Sequence, residues 1–207
     1  MENMPWYEEL EQKILGLEQE NTELKKEYSE LKEQTIRDNK TGLYNSRYYQ
    51  ENIKEIVQKN KSLGAILFDI NNFKYLNNNF GHNQGDAYLK KLAQIIQSSI
   101  KNTDYAIRWG ERADEFVVLL PNANESTGPA VVNRVNSEID KFNKYNKAEK
   151  YENKKKISYE MTVAAGHAFK EECKSQNDIK DLIDLADKRM YKDKEKQKSE
   201  RNFDNNT

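Results

Sequence analysis

Ile107-Arg108-Trp109-Gly110-Glu111-Arg112-Ala113-Asp114-Glu115-Phe116-Val117-Val118-Leu119-Leu120-Pro121 sets two short apolar runs either side of a polar turn. The runs, Tyr105 to Trp109 and Phe116 to Leu120, predict a β-hairpin. Its tip carries Gly110, two charges of opposite sign, and then the adjacent carboxylates Asp114 and Glu115. From these residues alone two readings stand. The acids solvate an ordinary turn, or they hold a hard divalent cation, which commonly brings a phosphate.

Upstream, Leu63-Gly64-Ala65-Ile66-Leu67-Phe68-Asp69-Ile70 is apolar on both faces and has an acid near its end, the pattern of a buried central strand. Asp69 is costly to bury unless it is paired or bound to a cation. Asn71 to Asp86 is polar and rich in Asn and Gly, with a short helix expected near Phe73 to Leu76 and then a turn. A helix is expected from Asp86 to Ile100, with Leu89, Leu92, Ala93, Ile96 and Ile100 as its core face. Before the strand, Arg47 to Asn60 presents Tyr48, Tyr49, Ile53 and Ile56 on one side, and Asn45 or Ser46 can cap it.

After the hairpin, a helix is expected from Thr127 to about Phe142, with Val131, Val132, Val135 and Ile139 inward. Lys144 to Lys156 reads as a charged connector, Ile157 to Phe169 as a strand, and Ile179 to Lys192 as a last helix. The charged tail beyond Lys194 is expected to fray. The order strand, helix, hairpin, helix, strand, helix predicts an α/β fold: a palm-like antiparallel or mixed central sheet covered by helices.

Residues 7 to 36 carry a different pattern. Leu10, Leu17, Leu24 and Leu31 recur every seventh residue, with Ile14, Asn21, Tyr28 and Thr35 recurring between them. With the leucines at d, the second set falls at a. Glu20 and Glu27 then occupy g, and Lys25 and Lys32 occupy e of the next heptad, a charge pairing suited to a parallel two-stranded coil. Asn21 at an a position fixes register at a cost in stability. The repeat is short, so an isolated helix here is marginal. Three segments are expected: a coiled-coil helix over residues 1–37, the α/β domain over 38–198, and a charged tail over 199–207.

Composition excludes several classes. Charged residues make up 33% and the net charge is -1, so no strong field points to nucleic acid or an anionic membrane. Cys173 is the one cysteine, which rules out an intrachain disulfide and fits a reducing compartment. No apolar run approaches the ~20 residues of a membrane span. Met1 to Trp6 lacks the basic and apolar regions of a signal peptide, so a cytoplasmic location is expected.

Four ordered segments together resemble the GGDEF family, the diguanylate cyclase domains, over about Asp38 to Lys198. Asp38-Asn39-Lys40-Thr41-Gly42-Leu43-Tyr44-Asn45 is similar to the family's opening motif, with Lys40 where a leucine is usual. Phe68-Asp69-Ile70-Asn71-Asn72-Phe73-Lys74-Tyr75-Leu76-Asn77 resembles the first metal and substrate segment, and Phe80-Gly81-His82-Asn83-Gln84-Gly85-Asp86 the segment after it. Ala186-Asp187-Lys188-Arg189-Met190-Tyr191-Lys192-Asp193-Lys194 resembles the closing helix.

The resemblance implies a domain of the nucleotidyl cyclase type that condenses two GTP molecules into cyclic di-GMP with release of pyrophosphate. Two domains would face each other as a homodimer joined through the coil, using Mg2+ or Mn2+. It implies that Asp69, the backbone carbonyl of Ile70, and Asp114 hold the metal. Asp114 would also lie near the nucleophile, with Glu115 beside it as the second catalytic acid of the signature. Asn77 and Asp86 would read guanine, Gly110 would let the backbone approach the nucleotide, and Lys74, Lys194 and Lys198 would hold phosphates. Taken without the resemblance, Asp86 could cap the helix it begins, Asn77 could be a turn residue, and Lys194 and Lys198 could be helix-end charges.

The signature departs from the family's Gly-Gly-Asp-Glu-Phe. Glu111-Arg112-Ala113 follows Gly110, which gives two extra residues at the tip and Ala113 in place of the second glycine. Asn71 replaces a common acid, and Lys101-Asn102-Thr103-Asp104 replaces the Arg-x-x-Asp of the product-inhibition site. Lysine lacks the bidentate guanidinium fork, so inhibition there is expected to be weak or lost. The alternative to a working cyclase is therefore a weak or inactive domain that binds GTP or another ligand and signals through its coil. The input signal is open: activity is constitutive, or a protein partner acts at the coil.

Overall fold

The computed structural model describes residues 5–109, 114–153, 159–173 and 179–204. They fall into two compact units, one ending at Arg37 and the other beginning at Asp38. The first unit is the helix α1 (Pro5–Ile36). Its seven-residue stripe is bare: Leu10, Ile14, Leu17, Leu24, Tyr28 and Leu31 are each 48% exposed or more. Among the described residues no helix is long and apolar enough to cross a membrane.

The second unit is built on β1 (Leu63–Ile70), all eight residues of which are buried. A strand apolar on both faces needs cover on both. β1 lies inside a four-stranded antiparallel sheet of order β2-β3-β1-β4, with β2 spanning Tyr105–Arg108, β3 Glu115–Pro121 and β4 Val163–Phe169. On one face Ile66, Phe68 and Ile70 of β1 join Phe116, Val118 and Leu120 of β3. Leu76 of α3 (Phe73–Phe80), Leu89, Leu92 and Ile96 of α4 (His82–Ser99), and Val131, Val135 and Ile139 of α5 (Thr127–Asn153) complete that core. On the other face Ala65, Leu67, Val117 and Leu119 meet Ile53 and Ile56 of α2 (Ser46–Lys59) and Leu182, Ile183, Ala186 and Met190 of α6 (Ile179–Asp204). The Asn45 side chain accepts from the Tyr48 N–H and caps α2.

α6 lies against β4 because residue 166 is glycine. A Cβ there would stand 2.1 Å from the Ala186 carbonyl oxygen and 2.1 Å from the Met190 nitrogen. No side chain fits that approach, and the approach is what carries the C-terminal half of α6 past the end of β1.

Five boundaries differ from expectation by several residues. α3 continues to Phe80, and α4 begins at His82 after Gly81 turns the chain at φ 86°. Asp86 therefore lies in the second turn of α4 and does not cap it, since the capping position is Gly81. α5 continues to Asn153 through the segment expected as a connector, and α6 to Asp204 through the segment expected to fray. Charged segments without an apolar period give no helical signal, so periodicity alone stops short of these helix ends. β4 begins at Val163, and Ile157 lies outside the described residues.

Candidate functional site

Asp69, the penultimate residue of β1, is 4% exposed. It stands opposite Glu115 of β3 on one side and Ala164 of β4 on the other. Directly opposed residues share a sheet face. The Lys194 ammonium of α6 donates to Asp69 Oδ1 at 2.7 Å. A carboxylate this buried needs such a counter-charge. Asp114 adjoins it through the backbone: its carbonyl oxygen accepts from the Ile70 N–H at 3.3 Å. Asp69, Ile70, Asp114 and Glu115 are thus gathered where β1 ends and β3 begins.

The hairpin remains regular up to its tip. Arg108 pairs with Phe116, and the Trp109 N–H donates to the Glu115 carbonyl at 2.9 Å. Tyr49 packs edge-on against Trp109 with ring centroids 4.4 Å apart. The two extra residues are therefore confined to 110–114, and β3 keeps its facing towards β1. Gly110, with Glu111, Arg112 and Ala113, lies outside the described residues.

Just past β1, Asn71 is buried and donates to Gln197 Oε1 at 2.8 Å and to Thr162 Oγ1 at 3.2 Å. The Gln197 amide also donates to the Val163 carbonyl at 3.1 Å and to Asp193 at 2.8 Å. Asn71 is thus a structural amide that ties the exit of β1 to β4 and α6. Asn72 follows in the left-handed region at φ 55° and provides no side-chain cap for α3. Uncapped N–H groups at a helix N-terminus suit an anion, and Lys74 is exposed on that first turn. Lys198 lies one turn beyond Lys194 on α6 and is exposed.

A second cluster joins α3 and α4. Asn77 Oδ1 is buried without a hydrogen-bond partner. It packs on Gly85, where a Cβ would stand 1.9 Å away. A buried acceptor left so costs about 1–3 kcal/mol. Next to Gly85, Asp86 accepts from the Lys40 ammonium at 2.6 Å. That hydrogen bond holds the Asp86 carboxyl below the usual carboxylate range. Neither Lys40 nor Gln197 was legible as part of the site, because their partners lie 46 and 126 residues away in sequence. The one signal for Lys40 was its place in a motif where leucine is usual.

Asp38 anchors the turn that presents Lys40. It accepts from the Thr41 N–H at 2.8 Å, from the Thr41 hydroxyl at 2.7 Å, and from Arg108 Nη1 at 3.0 Å. Burial opposes its ionisation, but the Thr41 and Arg108 hydrogen bonds outweigh burial and lower its pKa from the ordinary 3.8. A depressed carboxylate stabilises the fold above its unfolded pKa and loses that contribution as pH falls through its folded pKa. Asp38→Asn is therefore expected to flatten the acid limb of the melting temperature below about pH 4. Thermal melts of both proteins across that range check it, and parallel acid limbs would contradict it.

The donor set suits a hard cation. Among the described residues no cluster of three or more His, Cys, Asp or Glu side chains could hold a metal. Mg2+ does not need one, since it usually binds through one or two carboxylates and takes other oxygens from substrate phosphates and water. Asp69, Asp114 and the Ile70 carbonyl are oxygen donors of that kind and are the residues that would hold it.

The family description "Diguanylate cyclase, GGDEF domain" matches residues 35–200. Diguanylate cyclase A of Treponema denticola is 30% identical over 175 residues, covering 81% of this chain and 44% of that protein. Diguanylate cyclase DgcS of Shewanella oneidensis is 41% identical over 106 residues, covering 49% of this chain and 35% of that one. The chain thus spans less than half the length of these relatives. Among solved structures, diguanylate cyclase SiaD with its activator SiaC from Pseudomonas aeruginosa superposes with a TM-score of 0.70 at 22% identity, over 92% of this chain and 70% of that one. The coiled coil and GGDEF domain of DgcB from Caulobacter crescentus, in complex with c-di-GMP, gives 0.67 at 17%, over 88% and 92%. At these identities the likeness is one of fold.

Proposed function

The chain belongs to the GGDEF family of diguanylate cyclase domains, and from that premise we propose that it condenses two GTP molecules into cyclic di-GMP as a dimer paired through α1. The observation that carries the reading is the buried Asp69, held at the end of β1 beside Asp114, Glu115, Lys194 and the uncapped start of α3. A fold keeps an ionisable group in so dry a place at a cost, and a cation with a triphosphate makes use of it.

Each chain binds one GTP. Asp86 accepts from N1–H and the 2-amino group of guanine, and the Asn77 amide donates to O6 or N7. Lys74, Lys194 and Lys198 hold phosphates, helped by the first N–H groups of α3. Asp69, the Ile70 carbonyl and Asp114 would hold a divalent ion, Mg2+ or Mn2+, which when bound supplies charge stabilisation at the attacking and leaving oxygens. Asp114 and Glu115 orient the attacking 3′-hydroxyl and accept its proton. The 3′-oxygen of one GTP bonds to the α-phosphorus of the other, the α–β phosphoanhydride bond breaks, and pyrophosphate leaves. The same exchange in the opposite direction closes the ring.

Two half-sites must meet, and the bare stripe of α1 supports the coil as the means. Leu24→Glu places a charge in that stripe and is expected to shift the protein from dimer to monomer in sedimentation. At dilute protein the rate should fall at least ~10-fold and become second order in chain concentration. A monomeric variant with unchanged turnover would refute the coil's role.

A second reading rests on Glu111, Arg112 and Ala113: a domain that binds GTP, or another ligand, and signals through its coil without turnover. Incubation with GTP and Mg2+ or Mn2+, followed by mass analysis, separates the two. Cyclic di-GMP with two pyrophosphates is the expected product. GTP bound and unchanged would favour the second reading.

A further inference from the structure

We propose that Lys40 is a third reader of the guanine base, its ammonium bridging the Asp86 carboxylate and O6. This rests on the assignment of Asn77 and Asp86 to guanine, and adds a residue that the family pattern, with leucine there, would not supply.

The backbone turn that carries Lys40 is tied down by hydrogen bonds of its own. The turn from Asp38 to Leu43 is closed by the Gly42 N–H on the Asp38 carbonyl at 2.8 Å and the Asp38 N–H on the Leu43 carbonyl at 2.8 Å. The Asp38 carboxylate clamps Thr41, and Arg108 holds that carboxylate in turn. From this clamped turn Lys40 reaches α4 and meets Asp86 at 2.6 Å. The pair stands open, with side-chain exposures of 52% and 35%. An exposed ion pair contributes little to the fold, so stability gives scant reason for it.

Its chemistry matches one edge of one base. An ammonium has three N–H donors and a carboxylate about four acceptor sites, so each retains capacity after meeting the other. On guanine, O6 adjoins N1–H on the ring. A donor resting on the carboxylate that takes N1–H is therefore within reach of O6. Asp86 takes N1–H and the 2-amino group, Lys40 takes O6, and Asn77, packed on Gly85 beside Asp86, is left for N7. Adenine in the same pose sets its 6-amino group against the ammonium and its unprotonated N1 against the carboxylate, two repulsive contacts.

The test measures equilibrium binding of 3′-deoxy-GTP, which has no attacking hydroxyl, and of its 6-thio analogue, whose sulfur is a weaker acceptor. Wild type, Lys40→Met and Asp86→Ala are compared in the presence of Mg2+. Methionine keeps the apolar stem and removes the charge. Wild type is expected to prefer the oxygen compound roughly tenfold, and Lys40→Met to bind it roughly tenfold more weakly with no preference left. Equal or tighter binding by Lys40→Met, with Asp86→Ala weakened, would overturn the role of Lys40 and leave the guanine assignment standing. No binding by wild type, or full binding by Asp86→Ala, would overturn that assignment and this proposal with it.

Discussion

Asp69→Asn is expected to lower cyclic di-GMP formation by about 10³-fold or more and to leave the fold intact. Asparagine has nearly the same shape, so the packing between β3 and β4 is kept. What goes is the negative charge. Lys194 loses its counter-charge, but its side chain is 38% exposed and can turn to water. The proposed ion loses one of two carboxylates, and with it the stabilisation of the attacking and leaving oxygens. Initial rates and thermal melts taken together decide the point. A lost rate with a retained melting temperature is the expected pair of results. A rate near that of wild type would remove Asp69 from the reaction.

Gly166→Ala should have the largest effect on stability. The new Cβ would meet the Ala186 oxygen and Met190 nitrogen at 2.1 Å and the Arg189 carbonyl carbon at 2.8 Å, all backbone atoms of α6. No rotamer change relieves a backbone clash, so the helix must lift from β4. Leu182, Ile183, Ala186 and Met190 are buried along that contact and would lose packing together. Overpacking of this kind costs about 3 kcal/mol, which for a chain of this length lowers the melting temperature by roughly 6–12 °C. Because α6 also delivers Lys194 to Asp69, turnover should fall at temperatures where the variant remains folded. A melting temperature within a degree of wild type would mean that the β4–α6 contact yields more easily than its geometry implies.

The parts of the fold legible in sequence are those that burial dictates. β1 is apolar on both faces, and its expected bounds, Leu63 to Ile70, coincide with the strand. The hairpin and the core faces of α2 and α4 follow from period-2 and helical spacing in the same way. Charged segments without an apolar period carry no such signal, so α5 and α6 extend beyond the residues that periodicity reaches. The start of α4 was obscured by an aspartate that looks like a cap, whereas the chain turns at Gly81.

In the candidate site the legible residues were those with chemistry that is expensive to place, Asp69 above all. Contacts that cross the fold were not legible. Asn71 reads as a lost acid until Gln197 is seen to bond it, and Lys40 reads as a stray substitution until Asp86 is seen to meet it. Tertiary pairing of this kind leaves no trace in local spacing.

The central claim is that the carboxylates of Asp69 and Asp114 share one divalent ion on a guanosine triphosphate in spite of the lengthened tip. A crystal structure of the chain with 3′-deoxy-GTP and Mg2+ tests this most directly. The account predicts Mg2+ bonded to both carboxylates and to phosphate oxygens at about 2.1 Å, with the base at Asp86. Nucleotide bound with Asp114 turned away from the ion, or with the ion held elsewhere, would contradict it.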